Sequence, residues 1–215
     1  IKLKNMNDVQ NEEPIHCKVI FVGDSGVGKT SIMGRYIREF NPSEQATIGA
    51  SFKSTLEKVE GKDNIQFEIW DTAGQERYRS VNSIFYQDAF ICLMVYDITK
   101  KESFENLKNY WYNAVKEHGS KGIIFHVAGN KVDMLEKEEV PKKEVEEYCE
   151  SINAEYNYVS ALKNEYIDNL FHLLAIKFIE SEIYKEIKNR KNEEKKNVVK
   201  LNDNKKEGKN KKKCC

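Results

Sequence analysis

The chain has 215 residues, 40% of them hydrophobic and 33% charged, enough for one domain with a tail, and no apolar run approaches the ~18 residues of a membrane span. Its formal net charge of zero conceals an uneven layout: residues 185–215 hold 13 Lys/Arg against 5 Asp/Glu, and residues 1–184 hold 22 against 30. An acidic body with a basic tail suits an anionic membrane face, where each cation contributes about 1 kcal/mol.

Residues 1–14 are polar and read as a disordered N-terminal segment, with no signal-peptide pattern. Residues 17–22 form an apolar run ending at Gly23, as a buried strand entering a loop would. Ile32, Tyr36, Ile37 and Phe40 give residues 29–40 helical spacing, and the polar stretch 41–49, with Pro42, reads as a loop. Residues 52–59 and 65–70 are strand-like around Gly61-Lys62-Asp63-Asn64, a hairpin signal. Continuous apolar runs at 90–96 and 123–127 predict strands covered on both faces. Between them, Phe104, Leu107, Trp111 and Val115 put one apolar stripe on a helix over 103–118. Pro141 opens a helix carrying Val145, Tyr148 and Cys149. Residues 155–159 make a last strand, and 167–187 a long amphipathic helix. Beyond about Asn189 the composition is that of a disordered segment. This alternation predicts an α/β fold with a mostly parallel sheet, the hairpin adding one antiparallel edge strand. The domain is expected over 15–187, with a flexible basic tail over 188–215. Of the five cysteines, Cys17 and Cys92 read as free core thiols. The odd count, without a spacing pattern, argues against a disulfide framework and for a reducing compartment.

Four short motifs carry the chemistry. Gly23-Asp24-Ser25-Gly26-Val27-Gly28-Lys29-Thr30 matches G-x-x-x-x-G-K-S/T between a strand and a helix. Its glycines let backbone amides curl around phosphate oxygens, and the helix N-terminus adds its positive dipole end. Ser25, Gly26, Val27, Gly28, Lys29, Thr30 and Ser31 are the phosphate-binding candidates. Lys29 would serve the β- and γ-phosphates, and the Thr30 hydroxyl Mg²⁺. The loop alone does not distinguish ATP from GTP. In Thr47-Ile48-Gly49, Thr47 could place its hydroxyl on Mg²⁺ and its amide on a γ-phosphate, so that the loop is released when that phosphate leaves. In Asp71-Thr72-Ala73-Gly74-Gln75, Asp71 can reach the metal at a strand end, Gly74 can bring a bare amide to the γ-phosphate, and Gln75 can orient an attacking water. Asn130-Lys131-Val132-Asp133 follows a strand, at the sheet edge where such folds bind ligands. The Asp133 carboxylate can accept both N1–H and the exocyclic amine of guanine, a donor pair adenine lacks. Asn130 is placed to tie loops together and the Lys131 stem to lie along the base. Ser160 and Ala161 would complete the pocket through their amides.

Together these residues resemble the Ras superfamily of small GTPases, and within it the Rab branch. Ile48-Gly49-Ala50-Ser51-Phe52, the run from Ile69 to Tyr78, Val95-Tyr96-Asp97-Ile98-Thr99 and the terminal Cys214-Cys215 carry the narrower likeness, which leans to endocytic members. The resemblance implies the P-loop NTPase fold, with a six-stranded mixed sheet and helices on both faces. It implies a GTP/GDP switch using Mg²⁺, slow GTP hydrolysis with Gln75 as the catalytic residue, and regulation of vesicle traffic. The Thr47 loop is one residue shorter than the family spacing, which makes Phe40 the aromatic that caps the guanine. Leu162 stands where the family has a lysine and offers the base packing without a cation. Phe52, Trp70 and Phe85 resemble the aromatic triad that effectors read. Without an internal arginine finger, hydrolysis is expected on the order of 10⁻⁴–10⁻³ s⁻¹, by analogy with Ras.

The tail ends Lys-Lys-Lys-Cys-Cys, with no C-a-a-X box. The resemblance implies geranylgeranyl chains on Cys214 and Cys215, two chains making a stable anchor. The expected partners are guanine nucleotide, an exchange factor, a GTPase-activating protein, effectors and a membrane surface. A monomer is expected, with no nucleic acid, at the cytoplasmic face of endomembranes (endosome or another vesicle compartment) with a cytosolic pool. Two other readings compete. One is a nucleotide-locked pseudo-GTPase acting as a binding module, on the strength of the short Thr47 loop and Leu162. The other is a P-loop ATPase or nucleoside kinase, for which no adenine reader or substrate lid can be identified.

Overall fold

The computed structural model describes residues 13–43, 47, 49–74 and 79–193, with the side chains of 79–82 left aside. They fall into two compact units, the first ending at Phe178 and the second beginning at Ile179.

The first unit is built on a six-stranded sheet of order β2-β3-β1-β4-β5-β6. Its strands are β1 (Ile15–Val22), β2 (Ala50–Glu57), β3 (Ile65–Thr72), β4 (Ile91–Asp97), β5 (Ile124–Asn130) and β6 (Glu155–Val159). β2 runs antiparallel to β3 and every other pairing is parallel, which is the mixed sheet expected. Parallel neighbours need long crossovers. Helices supply them: α1 (Lys29–Tyr36), α2 (Arg79–Tyr86), α3 (Lys101–Asn106), a π-helical turn (Leu107–Trp111), α4 (Tyr112–His118) and α5 (Lys142–Ser151), while α6 (Ile167–Glu180) follows the last strand. Successive strand residues face opposite sides, so Ile20 and Val22 of β1 join Met94, Tyr96, Phe104, Leu107, Trp111, Val145 and Cys149 in one buried core. Phe21 faces the other way, 6.1 Å from Phe171 of α6, whose ring stacks on Tyr36 of α1 at 3.6 Å. Every residue of β4 is buried, as its continuous apolar run requires of a strand covered on both sides. Cys17 and Cys92 are free, buried thiols, as is Cys149.

Three helices differ from their expected extents. The first ends at Tyr36 rather than Phe40, because Arg38 takes a left-handed conformation (φ 65°) and the Glu39 amide turns back to the Gly34 carbonyl at 2.7 Å, closing the helix as a terminal glycine usually does. The helix expected over 103–118 contains the π turn in its middle. The single helix expected over 167–187 breaks at Ser181, whose Oγ accepts the Tyr184 amide at 3.2 Å and so caps a new helix over 182–193 in the second unit. β4 and β5 run on to Asp97 and Asn130, which are paired in register. Backbone pairing continues there past the end of the apolar run. Among the described residues no helix is long and apolar enough to cross a membrane.

Candidate functional site

The carboxyl ends of β1, β3, β4, β5 and β6 bring the motifs to one edge of the sheet. β1 gives way to the loop 23–28, and α1 starts at Lys29. Gly28 precedes the helix with φ 98°, and a Cβ there would collide with Asn130 Nδ2, so only glycine fits. The Lys29 side chain is buried and curls back over the loop, its Nζ donating to the carbonyls of Gly23 (2.7 Å) and Asp24 (2.9 Å). Burial drives its ammonium down to about 8, against the upward pull of Asp71 and Asp24. Val27 is buried, whereas Ser25 and Gly26 are exposed at the loop tip, and Ser31 is half-buried on α1.

Next to Lys29, three oxygens converge from three segments. Thr30 Oγ1 lies 2.7 Å from Thr47 Oγ1, and both hydroxyls bond Asp71 Oδ2, Thr47 at 3.4 Å. Asp71 lies inside β3 and is fully buried. The shorter loop therefore still delivers Thr47 to Thr30 and Asp71. Gly74 sits where a Cβ would come within 2.5 Å of Lys29 Nζ, so its backbone closes on the lysine as no other residue's could. One carboxylate with two hydroxyls is a set of hard oxygen donors that suits Mg²⁺, which prefers a few such ligands completed by phosphate oxygens and water.

The base side is tied together by side chains. Asn130 donates from Nδ2 to the Val27 carbonyl at 2.8 Å and accepts the Ala161 amide on Oδ1 at 3.1 Å, joining the loops as expected. Lys131 has a left-handed backbone (φ 74°), and its Nζ pairs with Asp97 at 2.6 Å. Burial pushes the Asp97 carboxyl upward, but hydrogen bonds from Lys131 and Thr99 outweigh it and hold the group below its ordinary value. The Ser160 hydroxyl donates to Asp133 Oδ1 at 2.5 Å. The Ser160 amide donates to the Glu165 carbonyl and that of Ala161 to Asn130 Oδ1. Leu162 is 61% exposed beside it.

Arg35 was not legible as a site residue. From α1 it donates to the carbonyls of Ala161 and Leu162, both at 2.6 Å, while its guanidinium lies 3.4 Å above the Phe40 ring. Phe40 is thus linked to the base loop through Arg35. A contact across more than a hundred positions leaves no local signal. Asp97 was named only as part of a motif, yet a carboxylate ending a fully apolar strand is the same signal that marked Asp71. On the flank, Trp70 bridges Phe52 and Phe85, with ring centroids at 5.0 and 5.4 Å, and Phe52 is half-exposed. Gln75, Ile48, Cys214 and Cys215 lie outside the described residues.

A glycine loop between strand and helix, with a buried lysine at the carboxyl edge of an α/β sheet, defines a P-loop nucleotide-binding protein. Comparison with known proteins narrows the class. The Ras family pattern matches residues 18–180. Human Ras-related protein Rab-22A is 40% identical over 155 residues, covering 72% of this chain and 79% of the relative. Rat Ras-related protein Rab-31 is 43% identical over 155 residues, 72% and 78% of the two chains. Ras-related protein rab-11.1 of Caenorhabditis elegans is 38% identical over 174 residues, 80% and 79%. The chain belongs to the Ras family and, within it, is a Rab-type small GTPase, a GTP hydrolase that binds guanine nucleotide.

Proposed function

We propose that this chain is a switch of vesicle traffic on the cytoplasmic face of endomembranes, held there by lipids on Cys214 and Cys215 and recruiting effectors when GTP is bound. The observation that carries this reading is the meeting of Thr30, Thr47 and Asp71 beside the buried Lys29. Lys29 and the amides of 25–31 grip the phosphates. Mg²⁺, held by Thr30, Thr47 and Asp71, would neutralise charge on the β- and γ-oxygens. Thr47 and Gly74 sense the γ-phosphate, and Gln75 orients water for in-line attack. When that phosphate leaves, Thr47 loses the partner that holds its loop. The half-exposed Phe52, with Trp70 and Phe85, then presents a different surface to effectors. Asp133, oriented by Ser160, selects guanine, with Lys131, Phe40 and Leu162 packing around the base. Exchange factor and activating protein set the two rates, and hydrolysis by the chain alone is slow. The Thr47-Ile48-Gly49-Ala50-Ser51-Phe52 run leans to an endocytic address.

Single-turnover hydrolysis of bound GTP tests the proposal. Gln75→Leu lowers the rate about tenfold or more, whereas an unchanged rate removes Gln75 from its role. A wild-type chain that binds GTP and releases no phosphate would instead be the nucleotide-locked binding module.

A further inference from the structure

We propose that Asn106 and Trp111 are positioning residues of the nucleotide site, brought by the π-helical turn onto the Asp24 carboxylate so that the phosphate loop retains its nucleotide. The inference rests on the phosphate-loop grip proposed above. Asn106 Nδ2 donates to Asp24 Oδ2 at 2.7 Å, and Trp111 Nε1 donates to Asp24 Oδ1 at 2.8 Å. Both oxygens of one loop carboxylate are therefore held by neutral donors of the helix that crosses beside it.

Five positions separate those donors. In an α-helix, residues five apart point about 140° away from each other, which cannot serve a single carboxylate. The turn Leu107–Trp111 is π-helical. Its i→i+5 bonding, the Tyr112 amide to the Leu107 carbonyl, puts one extra residue into the turn that follows Asn106, so Trp111, five positions on, comes back to the same carboxylate. Trp111 is fully buried, and a buried indole N–H needs an acceptor. The phosphate loop supplies it.

Asp24 passes this restraint to the phosphate grip. Its carbonyl accepts from Lys29 Nζ at 2.9 Å. A Cβ on Gly74 would lie 2.5 Å from that same oxygen, so Gly74 packs directly on Asp24. A shift of Asp24 displaces the lysine's anchor and the backing of Gly74 together. The clamp slows nucleotide release without touching the nucleotide.

The test is release of N-methylanthraniloyl-GDP from the full-length chain into excess GDP, with thermal unfolding of the loaded protein as a check on folding. Asn106→Asp sets a second carboxylate against Asp24 and speeds release about tenfold or more. Asn106→Ala, which only deletes the bond, speeds it by a smaller factor. Adding Asp24→Asn to Asn106→Asp restores slow release, because the new amide at position 24 donates to the new carboxylate at position 106 and its oxygen still accepts from Trp111. A general structural role for Asn106 would not be rescued from the phosphate loop. Unchanged release in both single variants, or a double variant as fast as Asn106→Asp, overturns the clamp while leaving the grip intact. A wild-type chain that retains no labelled GDP overturns both.

Discussion

Asp133 is proposed to choose the base by hydrogen bonding, and the Ser160 hydroxyl at 2.5 Å fixes one of its oxygens. Charge-assisted hydrogen bonds are worth about 1.5–3 kcal/mol each, so replacing the acceptor pair costs guanine roughly 100-fold or more in affinity. Asp133→Asn is expected to weaken GDP by that factor and to prefer xanthosine diphosphate, whose ring carries an acceptor in place of the amine. Competition between the two diphosphates checks it, and retained guanine preference removes Asp133 from base reading. Residues proposed to touch the ligand were legible as candidates, because their spacing repeats the ligand's own layout: Lys29 for phosphate, Asp133 for base. Residues that hold those residues were not. Arg35 reaches Ala161 and Leu162 through tertiary contact alone. Lys131 announces itself in a motif, while its partner Asp97 shows only as a carboxylate at the end of an apolar strand. The Ser160 and Ala161 amides likewise meet distant partners, Glu165 and Asn130.

Elements were legible wherever a single hydrophobic period governed them. β6 occupies the residues expected, and the antiparallel β2–β3 hairpin follows from its turn residues. Ends and interruptions were hidden, since the left-handed Arg38 and the Ser181 cap are backbone events that periodicity does not register. The π turn was hidden too, because Phe104, Leu107, Trp111 and Val115 also satisfy an α-helical stripe. His126 of β5 is buried and bonds Asn157 of β6 at 2.8 Å. Burial lowers its pKa from the ordinary 6.5, outweighing the upward effects of Asn157 and Glu155, while Lys177 adds to the lowering. The unfolded chain thus binds the proton more readily, and stability is lost as pH falls through 6.5 towards the folded-state value. His126→Gln, which keeps a donor for Asn157, is expected to flatten the fall in Tm between about pH 7 and about pH 5. An equal slope in both proteins would contradict that assignment.

For the molecule as a whole, charge and function divide along the chain. The acidic body carries the nucleotide site at the carboxyl edge of its sheet, and the basic tail ends in the two cysteines proposed as the anchor. The α/β class and the parallel sheet with one antiparallel edge were legible because each strand's burial is written in its apolar run. How the site closes was not, because Thr47 meets Thr30 and Asp71 only once α1 has crossed over and the β2–β3 hairpin has paired with β1. The most direct measurement is calorimetric titration of the nucleotide-stripped, full-length chain with GDP, GTP and ATP, each with and without Mg²⁺. Tight binding of both guanine nucleotides is expected, weaker when the metal is chelated, with ATP poorer by about 10⁴-fold or more. Comparable affinity for ATP, or guanine binding indifferent to Mg²⁺, would contradict a site in which Lys29, Thr30, Thr47 and Asp71 grip the phosphates and Asp133 chooses the base.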